Sequence, residues 1–171
     1  MVYNRHTPKS IQTLDDNEVF VFGSNETGFH GAGAAGLTFR GESRNTWRQD
    51  SMFLEAMKAP VGSSKRIGRW AVFGVARGHQ IGHEGQSYAI QTIKRPGLKK
   101  STTRREIYYQ LLELSRFAEN HPELTFLVTK IGCGLAGHTE EEMKEVFKYW
   151  CEGHHEKVHK NIVLPREWDF R

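Results

Sequence analysis

Two glycine-rich segments, each directly after an apolar run, constrain this chain more than any other feature. The first apolar run, EVFVFGSN (Glu18–Asn25), leads into the glycine-rich segment GFHGAGAA (Gly28–Ala35). The second apolar run and its glycine-rich segment lie together in FLVTKIGCGLAGH (Phe126–His138). Such apolar runs predict buried strands. Repeated glycine lets main-chain N–H groups turn toward a concave space without obstruction by a Cβ atom, which suits a phosphate or pyrophosphate. Two such loops at strand ends predict a nucleotide-like ligand in the crevice of an α/β sheet.

The rest of the chain alternates between strand-like and helix-like patterns. Strands are predicted at Val19–Gly23, Ser87–Ile93, Leu124–Ile131 and Asn161–Leu164, and a strand or the stub of one at Trp70–Val75, followed by a connection rich in glycine (Gly74–Gln86). Helices are predicted at Ala32–Thr38, at Asp50–Met57, at Thr102–Asn120 and after the cap at Thr139, the last burying Met143, Val146, Phe147 and Trp150. Because the connections are too long for hairpins, we expect a three-layer α/β/α sandwich with a mixed, mostly parallel central sheet.

Composition narrows the class of protein. The 171 residues, with 37% hydrophobic content and no Pro- or Ser-rich linker, predict a single domain over 1–171. The net charge of +4 favours an anionic ligand, but it is smaller than the charge of a protein dedicated to coating nucleic acid. Cys133 and Cys151, together with a polar start, indicate free thiols in the cytoplasm. No apolar stretch approaches the roughly 18 residues that span a bilayer, so we expect no membrane partner.

Three segments resemble macro domains, the ADP-ribose-binding modules. The strand FVFGSN followed by GFHGAGAA is similar to their first ligand loop, SYAIQT (Ser87–Thr92) to an internal strand that ends in threonine, and FLVTKIGCGLAGHT to their phosphate-embracing loop. The resemblance runs in order from Glu18 to Leu164. It implies a macro-like fold without a cofactor or a metal, and it implies ADP-ribose, a related nucleotide derivative or an ADP-ribosylated protein or nucleic acid as the partner.

The resemblance also implies which residues form the site. Asn25 matches the asparagine that contacts the distal ribose. The ligand-binding residues it implies come from the two loops and the internal strand: Gly23, Ser24, Gly31, Ala32, Gly33, Ala34, Thr92, Gly132, Cys133, Gly134, Leu135, Ala136 and Gly137. Macro domains carry an aspartate ahead of the first strand that recognises adenine. Here the corresponding stretch, KSIQTL, has no acid, and Asp15 and Asp16 lie closer to the strand, so adenine recognition stays open.

Candidate catalytic groups are Asn25, His30 and His138. His30 lies inside the first loop and His138 at the end of the second, so two imidazoles could converge on one ligand and activate water. The alternative is that His30 packs over the ligand and His138 caps a helix. Glu84 is a weaker candidate base, more simply an exposed loop carboxylate. Cys133 could be a nucleophile, but small buried cysteines are commoner.

Two further groups of residues have a simple structural alternative. Cys151, His154, His155 and His159 have metal-like spacing, but a solvated helix end explains so short a stretch. Between a strand and a helix, the basic segment holds Lys94, Arg95, Lys99, Lys100, Arg104 and Arg105, which could steer an anion toward the cleft or form a solvated loop. The aromatic residues Phe29, Trp168 and Phe170 could stack on a base or fill the core.

The sequence leaves two functions of different classes. The favoured one is hydrolysis of an ADP-ribose derivative, by an ADP-ribosyl hydrolase or an ADP-ribose 1''-phosphatase, with Asn25 and His30 orienting the distal ribose and water. The alternative is a non-catalytic reader that binds ADP-ribose or ADP-ribosylated partners through the same loops. A basic nucleic-acid-binding module is a more distant option, because no one-sided pattern of aromatic residues and Lys or Arg is present.

Overall fold

A five-stranded sheet forms the middle layer of the computed structural model, which describes residues 5–171. The strands stand in the order β2-β3-β1-β4-β5. β1 is parallel to both of its neighbours and β4 is parallel to β5, whereas β2 runs antiparallel to β3 at one edge. This confirms the mixed, mostly parallel sheet. The strands are β1 (Glu18–Asn25), β2 (Gly78–Ile81), β3 (Gln86–Ile93), β4 (Thr125–Val128) and β5 (Ile162–Val163).

The α-helices of the described chain are α1 (Gly33–Arg40), α2 (Ser51–Lys58), α3 (Arg104–Glu119) and α4 (Glu140–Cys151). Local chemistry fixes where most of them start. Asp50 accepts a hydrogen bond from the Phe53 N–H at the start of α2, and Thr103 and Thr139 form capping boxes at the starts of α3 and α4. Gly41 ends α1 with a positive φ of 76°.

The two faces of the sheet bury separate hydrophobic clusters, as a three-layer sandwich requires. Alternation along β1 sends Val19 and Val21 into the cluster formed with α3 and α4, and Phe20 and Phe22 into the cluster formed with α1 and α2. The predicted stripe of α4 is confirmed, because its members are all buried: Met143, Val146, Phe147 and Trp150.

The direction of the crossovers creates a crevice at one edge of the sheet. The chain leaves β1 through α1 and α2 on one face and reaches β3 on one side. It then passes through α3 on the other face to β4 on the opposite side of β1. The loops after β1 and β4 therefore depart toward opposite faces, which is the switch point where α/β sheets open a ligand crevice.

The predicted strand at Trp70–Val75 is wrong. This stretch makes one isolated bridge, between Ile67 and Val72. Trp70 donates its N–H to the carbonyl oxygen of Thr38 at 2.9 Å, and the N–H of Val72 donates to the Gln80 side chain at 2.7 Å. The segment is therefore apolar because it packs beneath α1. The edge strand β2 lies instead in the segment between Val75 and β3, which is rich in glycine.

None of the helices within residues 5–171 is both long enough and apolar enough to span a bilayer.

Replacing Phe147 tests whether the buried residues of α4 hold this helix against the sheet. Phe147 is fully buried and packs on Trp168 with ring centroids 4.8 Å apart. We expect Phe147→Ala to lower the free energy of unfolding by about 3–5 kcal/mol, measured by urea denaturation. The control is Tyr109→Ala on α3, whose ring is exposed and whose loss should cost under about 1 kcal/mol. Equal effects would contradict the assigned packing.

Candidate functional site

Both glycine loops border one cavity of about 480 Å³ at the carboxyl ends of β1, β3 and β4. Its volume lies within the range of about 300–1,000 Å³ usual for small-molecule sites. The predicted site residues that line it are the catalytic candidate Asn25 and the ligand-binding candidates Gly23, Ser24, Ala32, Gly33, Ala34, Thr92, Gly132, Gly134, Leu135 and Ala136. The loops after β1 and β4 thus meet around a single space, as the sequence predicts.

Three predicted ligand-binding residues do not line the cavity. They are Gly31, Cys133 and Gly137. Gly137 has a φ of 84°, and a Cβ there would approach the Lys99 side chain to 2.7 Å, so it shapes the loop. Six other residues line the cavity and escaped prediction: Ala35, Ile93, Pro96, Thr129, Lys130 and Ile131. Several of these residues are adjacent in sequence to the predicted ones, and this adjacency could have identified them.

Main-chain N–H groups are the most abundant donors around the cavity. In the described chain, the N–H groups of Gly132, Gly134, Leu135 and Ala136 have no hydrogen-bond acceptor, and neither have those of the first loop at Ala32, Ala34 and Ala35. The last two lie in the first turn of α1, where helix N–H groups have no internal partner. Donors of this kind, arranged around a concave space, are suited to an anion.

Gly132 and Gly134 serve different purposes in the second loop. Gly132 has a φ of 85°, and a Cβ there would lie 2.8 Å from the sulfur of Met143, so the close packing of loop and helix requires glycine. A Cβ on Gly134 would meet no atom within 4 Å, and Gly134 lines the cavity. Space at Gly134 is therefore left for something other than the protein.

Asn25 lines the cavity, and the oxygen atom of its side-chain amide is already hydrogen-bonded within the protein. Its Oδ1 accepts hydrogen bonds from the Phe29 N–H at 3.0 Å and from the Thr27 hydroxyl at 3.2 Å. These bonds fix the turn after β1 and orient the side chain. The Nδ2 group makes no hydrogen bond within the described residues, so it is the atom with which Asn25 can bind a ligand.

The basic segment lies beside the cavity and contributes Pro96 to its lining. The carbonyl oxygen of Lys94 accepts from the N–H of Glu26 at 3.0 Å, and the N–H of Lys100 donates to the carbonyl oxygen of Ala136 at 2.7 Å. The segment therefore bridges the two glycine loops, with Pro96 in the cavity lining. Lys94, Arg95 and Lys99 make no ion pair within residues 5–171, which leaves their charges available near the rim.

Lys130 lines the cavity but is already paired. Its Nζ lies 2.9 Å from Glu140 and 3.5 Å from Glu167, and the hydrogen bond to Glu140 raises the pKa of the ammonium group. Among the described residues that line the cavity, Lys130 carries the ionisable side chain. The lining therefore offers no general base.

His30 does not reach the cavity, contrary to the expectation that it is catalytic. Its ring is fully buried, with centroids 5.5 Å from Phe22 and 6.3 Å from Phe39. Burial lowers its pKa to about 4. Val72, Val75 and Gln80 lie close enough to oppose that shift partly, but neither ring nitrogen meets hydrogen-bond geometry within the described chain. His30 thus anchors the first loop in the aromatic core, with a φ of 54°.

His138 is likewise an anchor and does not line the cavity. The side chain is buried, and its Nε2 lies 2.9 Å from the carbonyl oxygen of Thr102, just before α3. This contact ties the end of the second loop to the end of the basic segment. The two imidazoles therefore do not converge on one ligand.

The other candidate residues take structural positions. Cys133 packs against the core, and burial raises the pKa of its thiol, the reverse of what an activated nucleophile needs. Glu84 is exposed, 3.8 Å from Arg69. No group of three or more His, Cys, Asp or Glu side chains within residues 5–171 is placed to hold a metal ion, so the cluster at Cys151 does not assemble.

The aromatic candidates also lie away from the cavity lining. Phe29 packs in an aromatic cluster with Trp47, Phe53 and Phe73, and Trp168 is fully buried against Phe147. Phe170 is exposed. None of them offers a stacking surface to a ligand at the glycine loops.

A larger surface groove, of about 590 Å³, lies between α3 and α4. It is lined by Tyr108, Tyr109 and Tyr149, and Arg104 there pairs with Glu145 at 3.3 Å. No glycine loop borders this groove. The unpaired main-chain donors favour the smaller cavity as the functional site.

Known proteins show little similarity to this chain. No family model matches the chain, and no curated protein matches it significantly. Among solved structures, it is similar to a protein of unknown function from Bacteroides thetaiotaomicron, with 16% sequence identity, a TM-score of 0.48 and 89% of each chain covered. The interpretation of the site therefore depends on its own geometry.

The buried position of His30 predicts a specific pH dependence of stability. Its pKa is about 4 in the folded chain against an ordinary value of 6.5, so between these values the unfolded chain binds a proton that the folded chain does not. Stability should be fully present above pH 6.5 and fall as the pH drops to 4, by on the order of 3 kcal/mol.

Urea denaturation across that pH range measures this slope. We expect His30→Phe to flatten it, because the variant keeps an aromatic ring that has no proton to bind. The exposed His154 provides the control, since His154→Phe should retain the wild-type slope. An unchanged slope in His30→Phe would show that the imidazole is not buried.

Proposed function

We propose that this chain binds ADP-ribose, or a related nucleotide derivative with a diphosphate, in the cavity between its two glycine loops. The observation that carries the proposal is the set of main-chain N–H groups without acceptors on both sides of one space. A diphosphate has oxygen atoms on both sides and can accept from two loops at once. Hydrogen bonds to charged oxygen atoms are about twice as strong as those between neutral groups, so a diphosphate suits these donors better than a neutral ligand.

The surroundings of the cavity support an anionic ligand. The basic segment contributes Pro96 to the lining and carries cations next to it in sequence, and no Asp or Glu is found among the described residues of the lining. A positive rim raises the local concentration of an anion and its rate of association. Asn25, with its Nδ2 group free, is positioned to donate to a ribose hydroxyl at the end of β1.

The geometry favours binding without turnover over the hydrolase that the sequence favours. Hydrolysis of an ADP-ribosyl bond needs a group that activates water. His30 and His138 are both buried outside the cavity lining, and the ammonium group of Lys130 is paired with two carboxylates. We therefore propose a reader of ADP-ribose or of partners that carry it.

Filling the space at Gly134 tests the binding site directly. We expect Gly134→Val to leave the melting temperature of the free protein within a few degrees, because a Cβ there meets no protein atom. Binding of ADP-ribose, measured by isothermal titration calorimetry, should fall at least about tenfold, because the added methyl groups occupy ligand space. Gly134→Ala should have an intermediate effect. Wild-type affinity in both variants, or no binding by the wild type, would refute the proposed site.

The basic segment should contribute to affinity through its charge. We expect Arg95→Ala to weaken ADP-ribose binding about two- to fivefold at low salt and less at high salt, because screening reduces the attraction of an exposed cation. Lys157→Ala removes the same charge from an exposed position outside the cavity lining and serves as the control. Equal effects would mean that the total charge matters and the position of the basic segment does not.

Turnover is measured separately. Wild-type protein at saturating concentration should release neither ADP-ribose from a modified protein nor phosphate from ADP-ribose 1''-phosphate above the uncatalysed rate. Measurable release would favour the hydrolase over the reader.

A further inference from the structure

We infer that the cavity recognises a nucleoside diphosphate sugar through its diphosphate and does not discriminate among the nucleobases. This inference rests on the proposed function and specifies its ligand class. It follows from what the side chains of the lining are already bonded to, from the position of the acids before β1, and from the apolar surface that remains.

Most polar side chains of the lining are already hydrogen-bonded within the protein. The Ser24 hydroxyl donates to the carbonyl oxygen of Ala76, and the Thr129 hydroxyl donates to the carbonyl oxygen of Val21 at 2.8 Å. The Oδ1 of Asn25 accepts from the Phe29 N–H. These groups stabilise the strand ends and have little capacity left for the edge of a base. Base selection requires donors and acceptors placed to match one edge.

Two polar side-chain groups of the lining have no protein partner in the described chain, and neither can select a base. The Thr92 hydroxyl has no partner among the described residues, and a hydroxyl both donates and accepts, so it fits either kind of base edge. The free Nδ2 group of Asn25 is a donor. Every nucleobase presents acceptors, so a single donor does not separate adenine from the others.

The acids before β1, which could recognise adenine, lie at the far end of the strands from the cavity. Asp15 accepts the Glu18 N–H through its carbonyl oxygen, and the carbonyl oxygen of Asp16 accepts from the Gln86 side chain. Glu18 and Gln86 are the first residues of β1 and β3, whereas the cavity lies at the carboxyl ends of these strands. A strand of eight residues is roughly 25 Å long, which puts both carboxylates out of reach of a base in the cavity.

Aliphatic side chains form the part of the lining that a base would contact. Ile93, Pro96, Ile131 and Leu135 give the lining an apolar part, and Leu135 is 65% exposed at the rim. Aliphatic side chains pack against the flat face of a purine or a pyrimidine through burial of apolar area, which has no directional preference. The base can therefore add affinity without adding specificity.

Four ligands that share one sugar and one diphosphate test the inference: ADP-glucose, GDP-glucose, CDP-glucose and UDP-glucose, with ADP-ribose as the reference. We expect calorimetric dissociation constants within about tenfold of one another for the four, because no pair of base-edge hydrogen bonds is available to separate them. Adenosine, which lacks the diphosphate, should not compete with ADP-ribose.

The outcomes separate the inference from the proposed function. A preference above tenfold for any one of the four glucose derivatives would overturn base indifference, and binding of ADP-ribose alone would overturn the wider ligand class; either result leaves the binding function intact. Failure of all five ligands to bind would refute the proposed function, and base indifference with it. Competition by adenosine would show that the base, and not the diphosphate, is recognised.

A pair of leucine variants tests the apolar wall. Leu135→Ala should weaken all four glucose derivatives by a similar factor of about fivefold, because it removes apolar contact area at the base. Leu98→Ala is the control, since Leu98 is exposed and belongs to the basic segment without lining the cavity. Loss of affinity for ADP-glucose alone in Leu135→Ala would contradict the inference.

Discussion

Parallel pairing of β1 with both β3 and β4 is the constraint on which the rest of the structure depends. Because the three strands run in the same direction, their carboxyl ends meet at one edge of the sheet and bring the two glycine loops together. The same pairing buries β1 on both faces, so Val19 and Val21 support one helical layer while Phe20 and Phe22 support the other. Crossovers on opposite faces then leave the cavity open between the loops.

The chemistry of the candidate site belongs to the main chain more than to the side chains. Unpaired N–H groups are costly when buried, about 1–3 kcal/mol each, so they persist where water or a ligand can reach them. Glycine and alanine keep the approach open, and Gly132 allows the loop to lie against Met143. A site of this kind suits an anion because its unpaired donors are main-chain N–H groups, while the charged side chain in the lining, Lys130, is paired with Glu140 and Glu167.

The role of the two histidines depends on the direction in which each side chain leaves its loop. His30 and His138 lie in the two loops that form the cavity, yet each ring points into the protein interior. His30 anchors the first loop among the rings of Phe22 and Phe39, and His138 anchors the second loop to Thr102. Both rings therefore fix the shape of the loops that border the cavity. The basic segment acts in the same way, since its ends are hydrogen-bonded to both loops.

The sequence by itself determined the fold class, the principal strands and helices, and the meeting of the two loops, because these follow from apolar periodicity, capping residues and glycine placement along short stretches of chain. It did not determine that Trp70–Val75 packs beneath α1 or that β2 pairs at the edge of β3, since both depend on which partner is nearby in space. The tertiary structure alone decided that His30, His138 and Cys133 are absent from the cavity lining while Pro96 and Lys130 belong to it. A one-dimensional pattern specifies the type of residue in a loop, but the direction of its side chain is set by what packs around it.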